Sequence, residues 1–107
     1  PIHMRQFCDD LNTRLSHLNQ ESVANCAELL AWADWRFQWI HPFKDFNGRI
    51  GRVLLAALLY KLALPHVETA PTDPDVRRKY LDALQSADQG ELGPLTEMWI
   101  RRVEEAL

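Results

Sequence analysis

Residues 47–64 read NGRIGRVLLAALLYKLAL, and the prediction of the fold starts from this stretch. From Val53 to Leu64 the apolar side chains surround a helix and do not alternate as they would in a strand. Asn47 is a favourable N-cap, and Pro65 follows the last apolar residue, so both ends carry helix signals. A helix that is apolar nearly all round is typical of a buried element. We therefore predict a helix over 47–64 at the centre of a bundle.

The same helical periodicity continues on both sides of this stretch. It predicts further helices at about 4–18, 22–40 and 94–107, and one running from Asp73-Pro74-Asp75 to near Gly90. No stretch shows the alternation and hairpin turns that are typical of strands. We therefore predict an all-α fold, a compact bundle of about five helices around a central buried helix. The residues expected to face inward are Phe7, Leu11, Leu15, Leu18, Val23, Cys26, Ala27, Leu30, Trp32, Trp35, Phe37, Trp39, Ile40, Val76, Tyr80, Leu81, Leu84, Leu95, Met98, Trp99, Ile100, Val103 and Leu107.

Composition places the chain among ordinary globular domains. It has 107 residues, of which 47% are hydrophobic and 25% charged, so we treat residues 1–107 as one domain. The net charge is −3 with acids and bases mixed along the chain, so we expect no contact with nucleic acid. The most apolar run, residues 53–64, contains Lys61 and is too short to cross a bilayer, so we expect no membrane span. Cys8 and Cys26 lack the spacing of metal ligands and are expected to be buried, reduced thiols.

Residues 41–52 read HPFKDFNGRIGR and hold several groups with catalytic potential. An imidazole titrates near neutral pH, so His41 is suited to take a proton from a hydroxyl. The Asp45 carboxylate is suited to ligate Mg²⁺, and Phe43 is suited to anchor the loop in the core. Taken singly, each polar residue has a plainer alternative. His41 could cap a carbonyl at the end of a helix, and Asp45 could be a helix cap.

The rest of this motif is suited to bind an anion. Asn47 and Gly48 allow a turn in which successive N–H groups point the same way at a helix N-terminus. Arg49 and Arg52 can grip phosphates through their guanidinium groups. The plainer alternatives are an ordinary turn and two solvated arginines. Two cations near the positive end of a helix dipole are unfavourable unless an anion is bound there, so the combination indicates a polyphosphate site.

These residues resemble the signature of the Fic (filamentation induced by cAMP) domain family, H-P-F-x-[D/E]-G-N-G-R-x-x-R, and match it at every specified position but one. The similarity extends over most of the chain, to the helix before the motif and to the segment from Tyr80 to Leu95. The resemblance implies a Fic-like helical core. It also implies a protein adenylyltransferase, which moves AMP from ATP to a Ser, Thr or Tyr hydroxyl of a target protein and releases pyrophosphate.

The resemblance further implies a role for each matching motif residue. The roles divide between catalysis, metal binding, binding of the nucleotide phosphates and structural support. They are His41 as general base on the target hydroxyl, Asp45 as ligand of a Mg²⁺ ion bridging the α- and β-phosphates of ATP, Asn47 and Gly48 as the anion nest, Arg49 at the β-phosphate, Arg52 at the terminal phosphate, and Phe43 as support from the core.

One motif position departs from the family pattern. Phe46 stands where the family usually has glycine, and this leaves the transferred group open. One alternative is a Fic-type transferase that uses another donor, either UTP, CDP-choline or a phosphate donor. Another is a non-catalytic nucleotide-binding interaction module that retains the motif.

The resemblance also sets expectations for the surroundings of the core. The family aligns its targets with a β-hairpin flap that precedes the core helices, so a chain beginning at Pro1 is expected to be a fragment without that flap. The family's inhibitory motif, [S/T]-x-x-x-E-[G/N], has no clear copy, because residues 16–20 and 22–26 lack its Glu. Inhibition would then come from missing sequence or from a partner chain. The family's distribution implies a bacterial source and either a cytoplasmic protein or a secreted effector.

Overall fold

The computed structural model describes residues 2–40, 47–67 and 73–107, the first two residues of the middle range as backbone only. Five helices lie within these ranges, with bounds within a few residues of those predicted. No strand occurs in them, so the prediction of an all-α fold is confirmed. None of the helices described here combines the length and the apolarity that a membrane span requires. The helices are α1 (Ile2–Ser16), α2 (Val23–Ile40), α3 (Asn47–Lys61), α4 (Pro74–Asp88) and α5 (Gly93–Ala106).

Local signals set several helix ends. Asp73 caps α4, since its side-chain Oδ1 accepts a 2.8 Å hydrogen bond from the backbone N–H of Asp75. Pro74 occupies the first turn, where the missing N–H costs nothing, and this start was predicted. Ser22 Oγ likewise accepts a 3.2 Å hydrogen bond from the backbone N–H of Asn25 at the start of α2.

The end of α3 comes earlier than predicted, at Lys61 rather than near Leu64. Ala63 has a φ of 57°, the left-handed conformation that terminates many helices. The Leu64 N–H then donates a 2.9 Å hydrogen bond back to the Leu59 carbonyl and closes the turn. The apolar periodicity ran past the true end because residues of this turn still pack against the core.

The central helix is α2, and the prediction that α3 occupies the centre is wrong. α2 packs against α1, α3, α4 and α5, whereas α3 packs only against α2 among the described helices. Small residues such as Ala27, Ala31 and Ala33 are fully buried and let neighbouring helices approach α2 closely. On α3 the side chains of Val53 and Tyr60 are 66% and 88% exposed. The apolar circumference of α3 is therefore covered on one side only by the described part of the chain.

The core joins α1, α2 and α5. Phe7 of α1 stacks on Trp32 of α2, with ring centroids 5.3 Å apart. From α5, Leu95, Trp99 and Val103 are fully buried against α2. These contacts hold the middle of α2 in the core, and the C-terminal end of α2 leads in sequence into the motif segment.

Some predicted inward positions are wrong. Val76 and Leu81 of α4 are exposed, because α4 lies at the edge of the bundle and buries only the stripe that contains Ala83 and Ala87. Leu107 is exposed because it follows the last residue of α5. Trp39 is 46% exposed, so it widens the buried face of α2 only in part.

The two cysteines differ from each other. Cys26 is buried as predicted, and burial raises the pKa of its thiol above the usual value. Cys8 is exposed, so its predicted burial is wrong. Cys8 follows Phe7 directly, and the side chain one position further round a helix from a core residue points away from the core.

Candidate functional site

The second half of the motif forms the first turns of α3. The helix begins at Asn47, and Gly48 is its second residue, as the sequence predicted. Arg49 and Arg52 lie three positions apart and are both exposed, so they lie on one face of the helix near its N-terminus. This half of the motif therefore places two exposed arginines on the first turns of α3.

The electrostatics of this helix start favour an anion. The first turn of α3 contains no acidic residue. Within residues 2–40, 47–67 and 73–107, no carboxylate lies within ion-pairing distance of Arg52. The positive end of the helix dipole adds to the guanidinium charge. The start of α3 can therefore hold a multiply charged anion such as a chain of phosphates.

A buried carboxylate lies behind this surface, and the sequence reasoning missed it. Asp34 of α2 is only 2% exposed. The Tyr80 hydroxyl donates a 2.8 Å hydrogen bond to its Oδ1, and the Trp99 indole N–H donates a 3.2 Å hydrogen bond to its Oδ2. The signal was available, because Asp34 shares an otherwise apolar helix face with Leu30 and Phe37, four residues before and three after it.

Burial and nearby charges shift the pKa values of the groups in this network. Burial raises the pKa of Asp34, while the hydrogen bonds from Tyr80 and Trp99 and the positive charge of Arg102 reduce that shift. Burial also raises the pKa of Tyr80, and the adjacent Asp34 carboxylate raises it further. The charges of Arg102 and Arg52 act in the opposite direction on Tyr80. The motif arginine Arg52 is thus close enough for its charge to be felt at the network that joins α2, α4 and α5.

An aromatic surface adjoins the position where the motif segment leaves α2. The Arg36 guanidinium lies over the Trp39 ring, 4.2 Å from its centroid. The His3 ring of α1 meets Trp39 edge to face, with centroids 5.5 Å apart. These contacts fasten the start of α1 to the last turn of α2.

Several predicted site residues lie outside the described residues, namely His41, Phe43 and Asp45, together with Phe46. The roles of His41 as base, Asp45 as magnesium ligand and Phe43 as support stay predictions. In the ranges that the structure describes, no group of three or more His, Cys, Asp or Glu residues could hold a metal ion. The flap, the inhibitory partner, the localisation and the extent of the fragment also stay predictions.

The fold and the exposed arginines define an all-α domain with a candidate anion-binding helix start. The chain belongs to the Fic/DOC family, whose sequence model matches residues 1–59, from α1 through most of α3. This confirms the family resemblance that the motif indicated.

Curated relatives carry related names. Over 93 residues, 87% of this chain and 17% of the relative, the chain is 39% identical to the protein adenylyltransferase Fic of Aedes aegypti. It is 27% identical over 111 residues to the protein of the same name from Nematostella vectensis, covering 98% of this chain and 25% of the relative. A probable protein adenylyltransferase of Aquifex aeolicus is 43% identical over 56 residues, 52% of this chain and 16% of the relative.

The chain therefore spans a quarter or less of the length of these relatives. No solved structure matches the chain significantly. The relatives include animal and bacterial proteins, so the bacterial source stays a prediction.

Proposed function

We propose that this chain is part of the catalytic core of a protein adenylyltransferase. It would move AMP from ATP to a Ser, Thr or Tyr hydroxyl of a target protein and release pyrophosphate. Membership of the Fic/DOC family and the names of the relatives support this proposal. The structural observation that carries it is the pair of exposed arginines, Arg49 and Arg52, on the first turns of a helix without an acidic residue there.

The arginines would bind and orient the triphosphate. A guanidinium can form two parallel hydrogen bonds to phosphate oxygens, so it holds direction as well as charge. Arg49, nearer the helix start, would contact the β-phosphate region, and Arg52, one turn later, the terminal phosphate. The backbone N–H groups at Asn47 and Gly48 would complete the cradle. This arrangement would leave the α-phosphorus facing the incoming hydroxyl.

His41 would move the proton in the transfer step. The target hydroxyl oxygen would form a bond to the α-phosphorus while the bond from that phosphorus to the bridging oxygen of the β-phosphate breaks. The hydroxyl proton would go to the His41 imidazole, and pyrophosphate would leave. A Mg²⁺ ion held by Asp45 would neutralise phosphate charge during this step. Phe43 would hold the loop still from the core.

Binding provides the first test of this proposal. We expect calorimetry to show Mg²⁺-dependent binding of ATP, and weaker binding of UTP and CDP-choline. Stronger binding of UTP or CDP-choline would favour the alternative that Phe46 suggests, a Fic-type transferase with another donor. Binding of ATP without any transfer would favour the non-catalytic module.

Transfer provides the second test. Protein targets are incubated with the chain and with ATP radiolabelled at either the α- or the γ-phosphate. Transfer of AMP attaches the α-label and leaves the γ-label in pyrophosphate. We expect His41→Ala to reduce α-labelling by at least about 10²-fold, because a positioned base contributes that much, while ATP binding is retained.

His66→Ala is the matched control, since His66 is exposed and lies outside the motif. It should label targets like the unmodified chain. Undiminished labelling by His41→Ala would show that His41 is not the base. Attachment of the γ-label would show that phosphate, not AMP, is transferred.

A further inference from the structure

Gly51 is a buried residue of α3 that faces α2. A Cβ atom at this position would lie 2.7 Å from Nε2 of Gln38 and 3.4 Å from Cδ1 of Phe37. Cβ atoms in proteins do not approach other heavy atoms to less than 3.0 Å. Gly90 is the described glycine with a positive φ, so Gly51 has ordinary helical geometry. Crowding by the end of the Gln38 side chain, and not backbone conformation, is therefore what a side chain at position 51 would meet.

We propose that Gly51 and Gln38 are positioning residues, whose contact sets how closely the first turns of α3 lie against α2. Gly51 stands between Arg49 and Arg52, so any displacement of the helix at this point moves both guanidinium groups. The consequence for nucleotide binding rests on the proposed function. The spacing between α2 and α3 does not depend on the proposed function, and it can be measured without a nucleotide.

The two neighbours of Gly51 differ in how far they can yield. Phe37 is buried, and its ring meets that of Phe7 with centroids 6.0 Å apart, so it is held in the core. Gln38 is half-buried, and its amide stands at the end of a flexible side chain. A methyl group at position 51 must therefore either turn the Gln38 side chain away or push α3 outward. Shortening Gln38 removes the closest contact and leaves Phe37 in place.

A small displacement matters at this position because phosphate groups are held by paired, directional hydrogen bonds. A misplacement of about 1 Å in a positioned site can reduce a rate by about 10²-fold. Loss of one hydrogen bond to a charged group weakens binding by about tenfold or more, and we expect an effect of that size on Mg²⁺-ATP binding from Gly51→Ala. The double variant Gln38→Ala/Gly51→Ala should recover most of that affinity, because the methyl then occupies the space of the lost amide.

Gly93→Ala is the matched control. Gly93 is also helical, and a Cβ there would meet no atom within 4 Å. The experiment measures Mg²⁺-ATP affinity by calorimetry for the unmodified chain, the control, each single variant and the double variant. It also records backbone amide NMR shifts of α3 without nucleotide. Gly51→Ala should shift the amide signals of α3 residues more than one turn from position 51, where the substitution has no direct effect, and the double variant should largely reverse those remote shifts.

The outcomes separate the two proposals. Unchanged amide shifts in the part of α3 more than one turn from position 51, or a double variant that restores neither those shifts nor the affinity, would overturn the spacing contact. If the unmodified chain does not bind Mg²⁺-ATP, the proposed function fails, and the nucleotide-free shifts alone decide the spacing contact. If Gly51→Ala does not fold, a folded double variant supports the contact, whereas an unfolded one overturns it.

Discussion

The hydroxyl of Tyr80 donates a 2.8 Å hydrogen bond to the buried carboxylate of Asp34, and this bond ties α4 to α2. The second carboxylate oxygen is occupied by the Trp99 indole N–H of α5. One acidic side chain thus connects three helices behind the turns that carry Arg52. The bundle depends on a polar contact at a point where its sequence is otherwise apolar.

Loss of that bond should destabilise the fold. Tyr80→Phe keeps the ring but leaves Asp34 Oδ1 buried without its donor, which costs about 1–3 kcal/mol in the free energy of unfolding. Urea denaturation followed by circular dichroism measures the change. Tyr60→Phe is the matched control, because Tyr60 is exposed, and it should leave stability nearly unchanged. Equal effects of the two variants would contradict a structural role for the bond.

The burial of Asp34 predicts a pH dependence. The unfolded carboxyl titrates near pH 4, and burial puts its pKa in the folded state above that value. The folded protein therefore binds the Asp34 proton more tightly than the unfolded chain does. This proton contributes its full stabilisation below about pH 4, and the contribution is lost as the pH rises through the folded pKa. The free energy of unfolding of the unmodified chain minus that of Asp34→Asn should therefore fall over this range.

The control for this titration is Asp82→Asn, since Asp82 is exposed on α4. Urea denaturation at a series of pH values, from about pH 3 to 8, covers the window above the unfolded pKa of a carboxyl. A difference between the unmodified chain and Asp34→Asn that stays constant with pH would show that Asp34 has the same pKa in both states.

The proposed role of Arg52 predicts a graded loss of affinity. Arg52→Ala should weaken ATP binding by about tenfold or more, because a hydrogen bond to a charged group is worth about 1.5–3 kcal/mol. AMP binding should weaken much less, since AMP has no terminal phosphate for Arg52 to contact. Calorimetry with both nucleotides measures this, with exposed Arg101→Ala on α5 as control. Equal weakening of ATP and AMP would show that Arg52 does not meet the distal phosphate.

The end of α3 offers a stabilising substitution. Ala63 has a φ of 57°, where a side chain is strained and glycine is not. Ala63→Gly should raise the free energy of unfolding by about 0.5–1 kcal/mol. Ala57→Gly, at an exposed position inside the same helix, should lower it by about 0.5–1 kcal/mol. Thermal and urea unfolding of the two variants should thus shift in opposite directions.

Features that depend on neighbouring residues could be predicted from the sequence. The α4 start at Asp73 and Pro74 follows from a side-chain cap and a missing N–H, both local effects. The placement of Arg49 and Arg52 on the first turns of α3 was predictable too, because it depends only on where the helix lies in the sequence and on a spacing of three residues. The family was recognisable because its signature is a continuous run of residues. The arginines of the candidate site, and the helix that carries them, could therefore be predicted from the sequence.

Features that depend on distant residues could not be predicted this way. The apolar circumference of α3 indicated a central position, yet α2 has small buried side chains and packs against the four other described helices, so α2 is the central helix. Asp34 lies 46 and 65 positions from Tyr80 and Trp99, so their shared network exists only once α4 and α5 have packed on α2. The helices, the motif and the family could all be read from the sequence, because helix formation depends on nearby residues and the motif is a continuous run. Which helix is central and which carboxylate is held in the core became visible only in the tertiary structure, because both depend on how separate helices pack against one another.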